Sequence, residues 1–124
     1  KIKTMEVNLD VYDLAYRPGG EQVAVALGDG SLRLYNTLGW KQAQVLWADA
    51  GHDLLRDLAF SPDGSLIAAA CSDYHLRIWE VDSGELLADL EGHAMSLSSL
   101  AFSPDGRSIA TGSSDGSVRV WGLP

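Results

Sequence analysis

His52, Ser72 and Asp73 bring the residue types of a hydrolytic triad close together in the chain: a base, a hydroxyl and a carboxylate. A serine becomes a nucleophile only with a base in hydrogen-bond reach, a pocket and an oxyanion hole. A second set, His93, Thr111 and Asp115, follows at nearly the same spacing. Groups that recur with a repeat hold the repeat together, so the two sets are expected as structural hydrogen-bond networks. His75 stands outside the recurrence and reads as a solvated turn histidine, with a lone metal ligand as the alternative. Cys71 is the only cysteine, so no internal disulfide forms. It reads as a small buried hydrophobe and fits a reducing compartment, with an intracellular, cytoplasmic location expected. Leu27-Gly28-Asp29-Gly30-Ser31 has the composition of a phosphate loop, but it joins two strands and opens no helix, which makes it a hairpin turn. Cys-x-x-Cys, His-Glu-x-x-His and calcium-loop spacings do not occur. The chain is therefore expected not to be an enzyme, and no catalytic residue, metal or cofactor is expected.

What positions these residues is a repeat. Leu14-Ala15-Tyr16-Arg17-Pro18-Gly19-Gly20 aligns with Leu58-Ala59-Phe60-Ser61-Pro62-Asp63-Gly64 and with Leu100-Ala101-Phe102-Ser103-Pro104-Asp105-Gly106, at offsets of 44 and 42 residues. Asp29-Gly30-Ser31-Leu32-Arg33-Leu34-Tyr35, Asp73-Tyr74-His75-Leu76-Arg77-Ile78-Trp79 and Asp115-Gly116-Ser117-Val118-Arg119-Val120-Trp121 keep those offsets. Gly51-His52 and Gly92-His93 stand before the second and third units. A period near forty residues marks a stacked repeat architecture.

Each unit has its own strand grammar, short apolar runs bounded by turn residues. In the second unit Arg56–Phe60 is expected as strand A, Leu66–Cys71 as strand B, His75–Glu80 as strand C and Glu85–Leu90 as strand D. Ser61-Pro62-Asp63-Gly64 closes the first hairpin, with Pro presetting φ at the second turn position and Gly accepting the closing conformation. Strand B is apolar on both faces, so a single sheet of this kind would leave one face in water. Stacking similar sheets side by side covers both faces and protects the strand edges.

With the repeat, the Gly-His pairs, the turn aspartates and Trp79 and Trp121 in place, the chain resembles the WD40 repeat family, whose blades form β-propellers. The resemblance implies an all-β fold of about three WD-repeat blades, each a four-stranded antiparallel meander, within a larger or oligomeric propeller. It places strand D of a preceding or closing blade at residues 1–10, then blades at 11–52, 53–93 and 94–124, the last without its own strand D. The family's hydrogen-bonded tetrad maps fully onto His93, Thr111, Asp115 and Trp121. The second unit keeps His52, Asp73 and Trp79, with Ala69 where the hydroxyl belongs. The first keeps only Asp29, with Val25 and Tyr35 at the other positions, so apolar packing is expected to hold that blade, making it the loosest. The Trp-Asp dipeptide itself is replaced by Tyr35-Asn36, Trp79-Glu80 and Trp121-Gly122.

The resemblance also implies that the loops joining strand D to A and strand B to C share one face, where the family docks its partners. Those positions are Asp53, Leu54, Tyr74, His75, Ala94, Met95 and Ser96. Tyr74 stands where the other two turns have Gly, and Trp40 and Trp47 are candidates for a rim patch, with core or inter-blade packing expected for at least one of them. The implied function is a non-catalytic scaffold for protein or peptide partners, with further blades or a second copy completing the ring. The alternative is a propeller that holds a small ligand or substrate near its axis, as the non-catalytic part of an enzyme.

Size and charge narrow the partners. The chain has 124 residues with 46% hydrophobic and 21% charged residues, enough apolar material for a core. Its net charge is −8, and residues 42–124 carry four arginines against twelve acids. Such a surface repels phosphate backbones and anionic lipid, so neither nucleic acid nor membrane is expected as a partner. The longest apolar run, Leu66 to Cys71, is far below the roughly twenty residues of a membrane helix.

Overall fold

The computed structural model describes residues 2–46 and 55–123. The described residues are all-β, and three antiparallel sheets follow one another along the chain. The first sheet holds β1 (Val11–Tyr16), β2 (Gln22–Leu27), β3 (Leu32–Asn36) and β4 (Gln42–Leu46) in that spatial order. The second holds β5 (Leu55–Phe60), β6 (Leu66–Cys71), β7 (His75–Glu80) and β8 (Leu86–Glu91). The third holds β9 (Leu97–Phe102), β10 (Ser108–Ser113) and β11 (Val118–Gly122), without a fourth strand among the described residues. The expected strands of the second unit lie within one residue of these bounds.

The hairpins close through side chains as well as backbone. In the second unit the Gly64 N–H donates to the Ser61 carbonyl at 2.9 Å. Asp63 accepts from the hydroxyls of Ser61 (2.8 Å) and Ser65 (2.7 Å) and from the Ser65 N–H (2.9 Å). Ser103 and Asp105 repeat the arrangement in the third unit. The first unit replaces this serine with Arg17, which donates to the Gly64 carbonyl at 2.9 Å and pairs with Asp82 at 3.1 Å, tying the first sheet to the second.

Strand β6 shows why the sheets must stack. Ile67, Ala69 and Cys71 face the first sheet, packing with Ala24, Ala26, Leu32, Leu34 and Trp79. Ala68 and Ala70 face the third, with Leu76, Ile78, Leu97, Leu100 and Ile109. Burial of each large side chain in these layers contributes about 1.5–3 kcal/mol. Alanine at the alternate positions lets neighbouring sheets approach closely.

The first strands of consecutive sheets lie side by side and are fastened by a recurring carboxylate. Asp13 accepts from the Leu58 N–H at 2.8 Å, and Asp57 accepts from the Leu100 N–H at 2.9 Å. A bulge precedes each aspartate and turns its side chain toward the neighbouring strand.

Residues 2–10 differ from the strand expected there. They form no strand, because no neighbour completes a hydrogen-bonded ladder with them. Met5 and Val7 instead lie with Trp40 over Val23, Val25, Leu27 and Tyr35, the outward face of the first sheet. Trp40 is thus a packing residue more than a rim residue, while Trp47 lies outside the described residues.

Candidate functional site

The third sheet brings His93, Thr111, Asp115 and Trp121 together. The Trp121 indole N–H donates to the Thr111 hydroxyl oxygen at 2.8 Å, and that oxygen lies 2.8 Å from His93 Nε2. His93 Nδ1 lies 3.2 Å from Asp115 Oδ2 and 3.1 Å from the Ser117 hydroxyl. Because indole N–H only donates and carboxylate only accepts, one neutral tautomer satisfies the whole chain. Nδ1–H donates to Asp115, Nε2 accepts from the Thr111 hydroxyl, and that hydroxyl accepts from Trp121. Gly92 has its own reason: a Cβ there would lie 2.6 Å from the Trp121 ring.

Asp115 also fixes the loop beside it. Its Oδ2 accepts from the Ala94 N–H at 3.0 Å, while Oδ1 accepts from the Ser117 hydroxyl and N–H. The Ser113 hydroxyl donates to the carbonyls of Met95 and Ser96. The D–A loop is thereby clamped to the B–C turn. The bonds from Ser117 and from the Ala94 N–H hold the Asp115 carboxyl well below the usual carboxylate range.

The second sheet builds its turn differently. His52 lies outside the described residues, and Asp73 spends both oxygens on Arg77, whose side chain is 2% exposed. Burial pushes the Asp73 carboxyl up, but the hydrogen bonds and charge of Arg77 outweigh it and leave it lowered. Arg77 Nε lies 3.4 Å from Asp89, which also takes His75 Nδ1 at 2.5 Å. His75 is therefore a paired, half-buried side chain at the start of β7, a correction to the solvated turn histidine expected from sequence. Among the described residues no cluster of three His, Cys, Asp or Glu side chains is arranged to hold a metal. Cys71 is fully buried, and burial pushes its thiol up to about 12, so it stays an un-ionised thiol. Trp79 is buried between the first and second sheets.

The first sheet follows the second. Asp29 pairs with Arg33 at 3.0 Å and accepts from the Ser31 hydroxyl and N–H, while Val25 and Tyr35 are buried in apolar contact. Sequence reasoning missed the aspartate–arginine pair, although an arginine stands four residues after the turn aspartate in all three units.

These carboxylates make stability acid-sensitive in a definite direction. Asp63 is held down to about 2 by the N–H and hydroxyl of Ser65 and the Ser61 hydroxyl. An aspartate lowered on folding contributes fully above its unfolded value near about 3.9 and loses that contribution as pH falls to the folded value. Asp29, Asp73, Asp105 and Asp115 act in the same sense, whereas Asp57, raised chiefly by burial, acts in the opposite one. The urea midpoint is expected to fall between about pH 4 and pH 2, and Asp63→Ala to flatten that fall in a pH series.

Of the loop positions expected to dock partners, Tyr74, Ala94 and Met95 are exposed, and His75 and Ser96 are half-buried. Tyr74 is 43% and Met95 47% exposed. Asp53 and Leu54 lie outside the described residues. In up-and-down sheets of this connectivity the B–C turns and D–A loops emerge at one end. Tyr74 has φ +78°, in the left-handed region that its counterparts Gly30 (+84°) and Gly116 (+85°) enter freely. A tyrosine at that position costs backbone energy that its sister turns avoid.

Comparison with curated proteins gave no match. The family model for the WD domain, G-beta repeat, matches residues 1–36, 41–80 and 84–122. The last two matches each run from a strand D through the next sheet's A, B and C strands, β4 to β7 and β8 to β11. With three matched repeats and three stacked antiparallel sheets, the chain belongs to the WD40 repeat family.

Proposed function

We propose that the chain is a non-catalytic interaction scaffold that presents its B–C turns and D–A loops to a protein or peptide partner. WD repeats in general build such scaffolds, and the observation that carries the reading to particular residues is Tyr74. Backbone strain kept at an exposed aromatic, where a glycine would serve the turn better, points to selection for the side chain's contacts. Met95, on a loop clamped by Asp115 and Ser113, adds an adaptable apolar side chain on a preorganised segment. Asp73 and His75, flanking Tyr74, are committed to Arg77 and Asp89 and serve as its support.

Tyr74→Gly separates the two roles. It is expected to stabilise the fold by about 1 kcal/mol in urea unfolding, by relieving the left-handed tyrosine. Peptides selected from a random library on the wild-type chain are expected to lose about tenfold in affinity by calorimetry, the loss of one aromatic anchor. Equal affinity for both proteins would reject Tyr74 as a contact.

A further inference from the structure

The A–B turns of neighbouring units enclose one groove that is filled and one that is open. In the first unit Arg17 stands at the position of Ser61 and Ser103, and its side chain crosses to the second unit. Nε donates to the Gly64 carbonyl at 2.9 Å, and the terminal nitrogens donate to Gln22 at 2.9 Å and Asp82 at 3.1 Å. The guanidinium lies against the turn itself, since a Cβ on Gly64 would meet Arg17 Cγ and Nε at 3.4 Å. A turn of this repeat therefore accepts a guanidinium on the side that faces the preceding unit. One repeat later no described side chain makes that crossing. Ser61 and Ser103 turn back onto Asp63 and Asp105 of their own turns, at 2.8 and 2.7 Å. Gly106 is the counterpart of Gly64, and among the described residues no side chain donates to its carbonyl. Beside it is a cavity of about 140 Å³ lined by Ser61, Pro62, Asp63, Asp105 and Gly106. Leu66 stands where the first unit has Gln22, but Asp63 and Asp105 stand where it has Gly19, so carboxylates flank the open groove. Among the described residues their bonds to Ser61, Ser65, Ser103 and the Arg107 N–H all fall on Oδ1, which leaves the second oxygen of each for a ligand. The same bonds hold both carboxyls below the usual carboxylate range and keep them ionised.

We infer that the groove between the second and third A–B turns takes an arginine side chain of a partner protein or peptide. The occupant follows from the chain's own filled groove, where the equivalent glycine carbonyl already holds a guanidinium. A guanidinium presents a planar fork of N–H donors, which can serve the Gly106 carbonyl and a carboxylate at once. Its charge suits a chain of net charge −8. An ammonium group brings the charge without the fork, so lysine is a poorer occupant. The A–B turns lie at the end of the blades opposite Tyr74 and Met95, and the site stands or falls independently of that docking face.

Titration of the isotopically labelled full chain with N-acetyl-arginine amide, followed by amide chemical shifts, tests this. The amides of Ser65, Asp105 and Gly106 are expected to shift and saturate together in the millimolar range, as suits a single side chain. N-acetyl-lysine amide is expected to bind about tenfold more weakly. Asp63→Asn with Asp105→Asn keeps the Oδ1 acceptors that close the turns and removes both charges. That variant is expected to keep its far-ultraviolet circular dichroism and to bind the arginine probe about tenfold more weakly. Arg17→Ala empties the first groove, and in it the probe is expected to move Gln22 and Asp82 as well. A probe that enters this emptied groove but leaves Gly106 in place overturns the proposal. Equal affinity for the lysine probe, or binding undiminished in the double asparagine variant, overturns it too.

Discussion

Asp73→Ala is expected to destabilise the chain by about 3 kcal/mol or more, because it strands a buried guanidinium. Arg77 is 2% exposed and cannot shed its proton, and its two bonds to Asp73 are its principal compensation. Asp89, 3.4 Å from Nε, retains part of that compensation but itself serves His75. The reverse change is expected to be milder. Arg77→Met removes the buried charge, fills the space with an unbranched apolar side chain, and leaves an aspartate that water can reach, at a cost of about 1–2 kcal/mol. Urea unfolding of the two single variants and the double variant checks the asymmetry. Equal costs would mean that the pair acts as an exposed ion pair.

Thr111→Val is expected to cost about 2–3 kcal/mol, because one isosteric change removes two hydrogen bonds at once. It leaves His93 Nε2 without its donor and the Trp121 indole N–H without its acceptor, in a site where Thr111 is 1% exposed. Thr111→Ser keeps the hydroxyl and loses a methyl group, so it is expected to cost about 1 kcal/mol. Because His93 and Asp115 also hold the Ala94–Ser96 loop, Thr111→Val is expected to speed amide exchange there before it affects β5 to β8. Hydrogen exchange monitored by residue separates that local loosening from global unfolding.

The repeat was legible because its turn residues recur at nearly constant offsets, and turn chemistry fixes strand ends well. Both faces of β6 were legible for the same reason, since an unbroken apolar strand has to be covered twice. The tetrad around His93 was legible through the resemblance, because all four residue types stand at the family's positions. Other contacts depended on features that the sequence does not display. The carboxylate fastenings of Asp13 and Asp57 depend on bulges, which shift the register locally and leave no periodic trace. The partnership of Arg77 with Asp73 was visible as a recurring spacing, but the expected histidine drew the aspartate elsewhere. His75 looked solvated because Asp89, its partner, comes from the next strand, β8, across the C–D turn. Residues 2–10 carry strand-like composition, yet composition without a neighbouring edge makes no strand.

The central claim is that the end of the blades bearing Tyr74 and Met95 is the docking face. Chemical-shift mapping on the isotopically labelled chain tests it most directly, with a peptide selected on the wild-type protein as the titrant. The expected result is that the amides of residues 73–75 and 94–96 shift progressively and saturate together, while those of the C–D turns at 37–39 and 82–84 at the opposite end stay in place. Shifts confined to the C–D turns, or to neither end, would contradict the account.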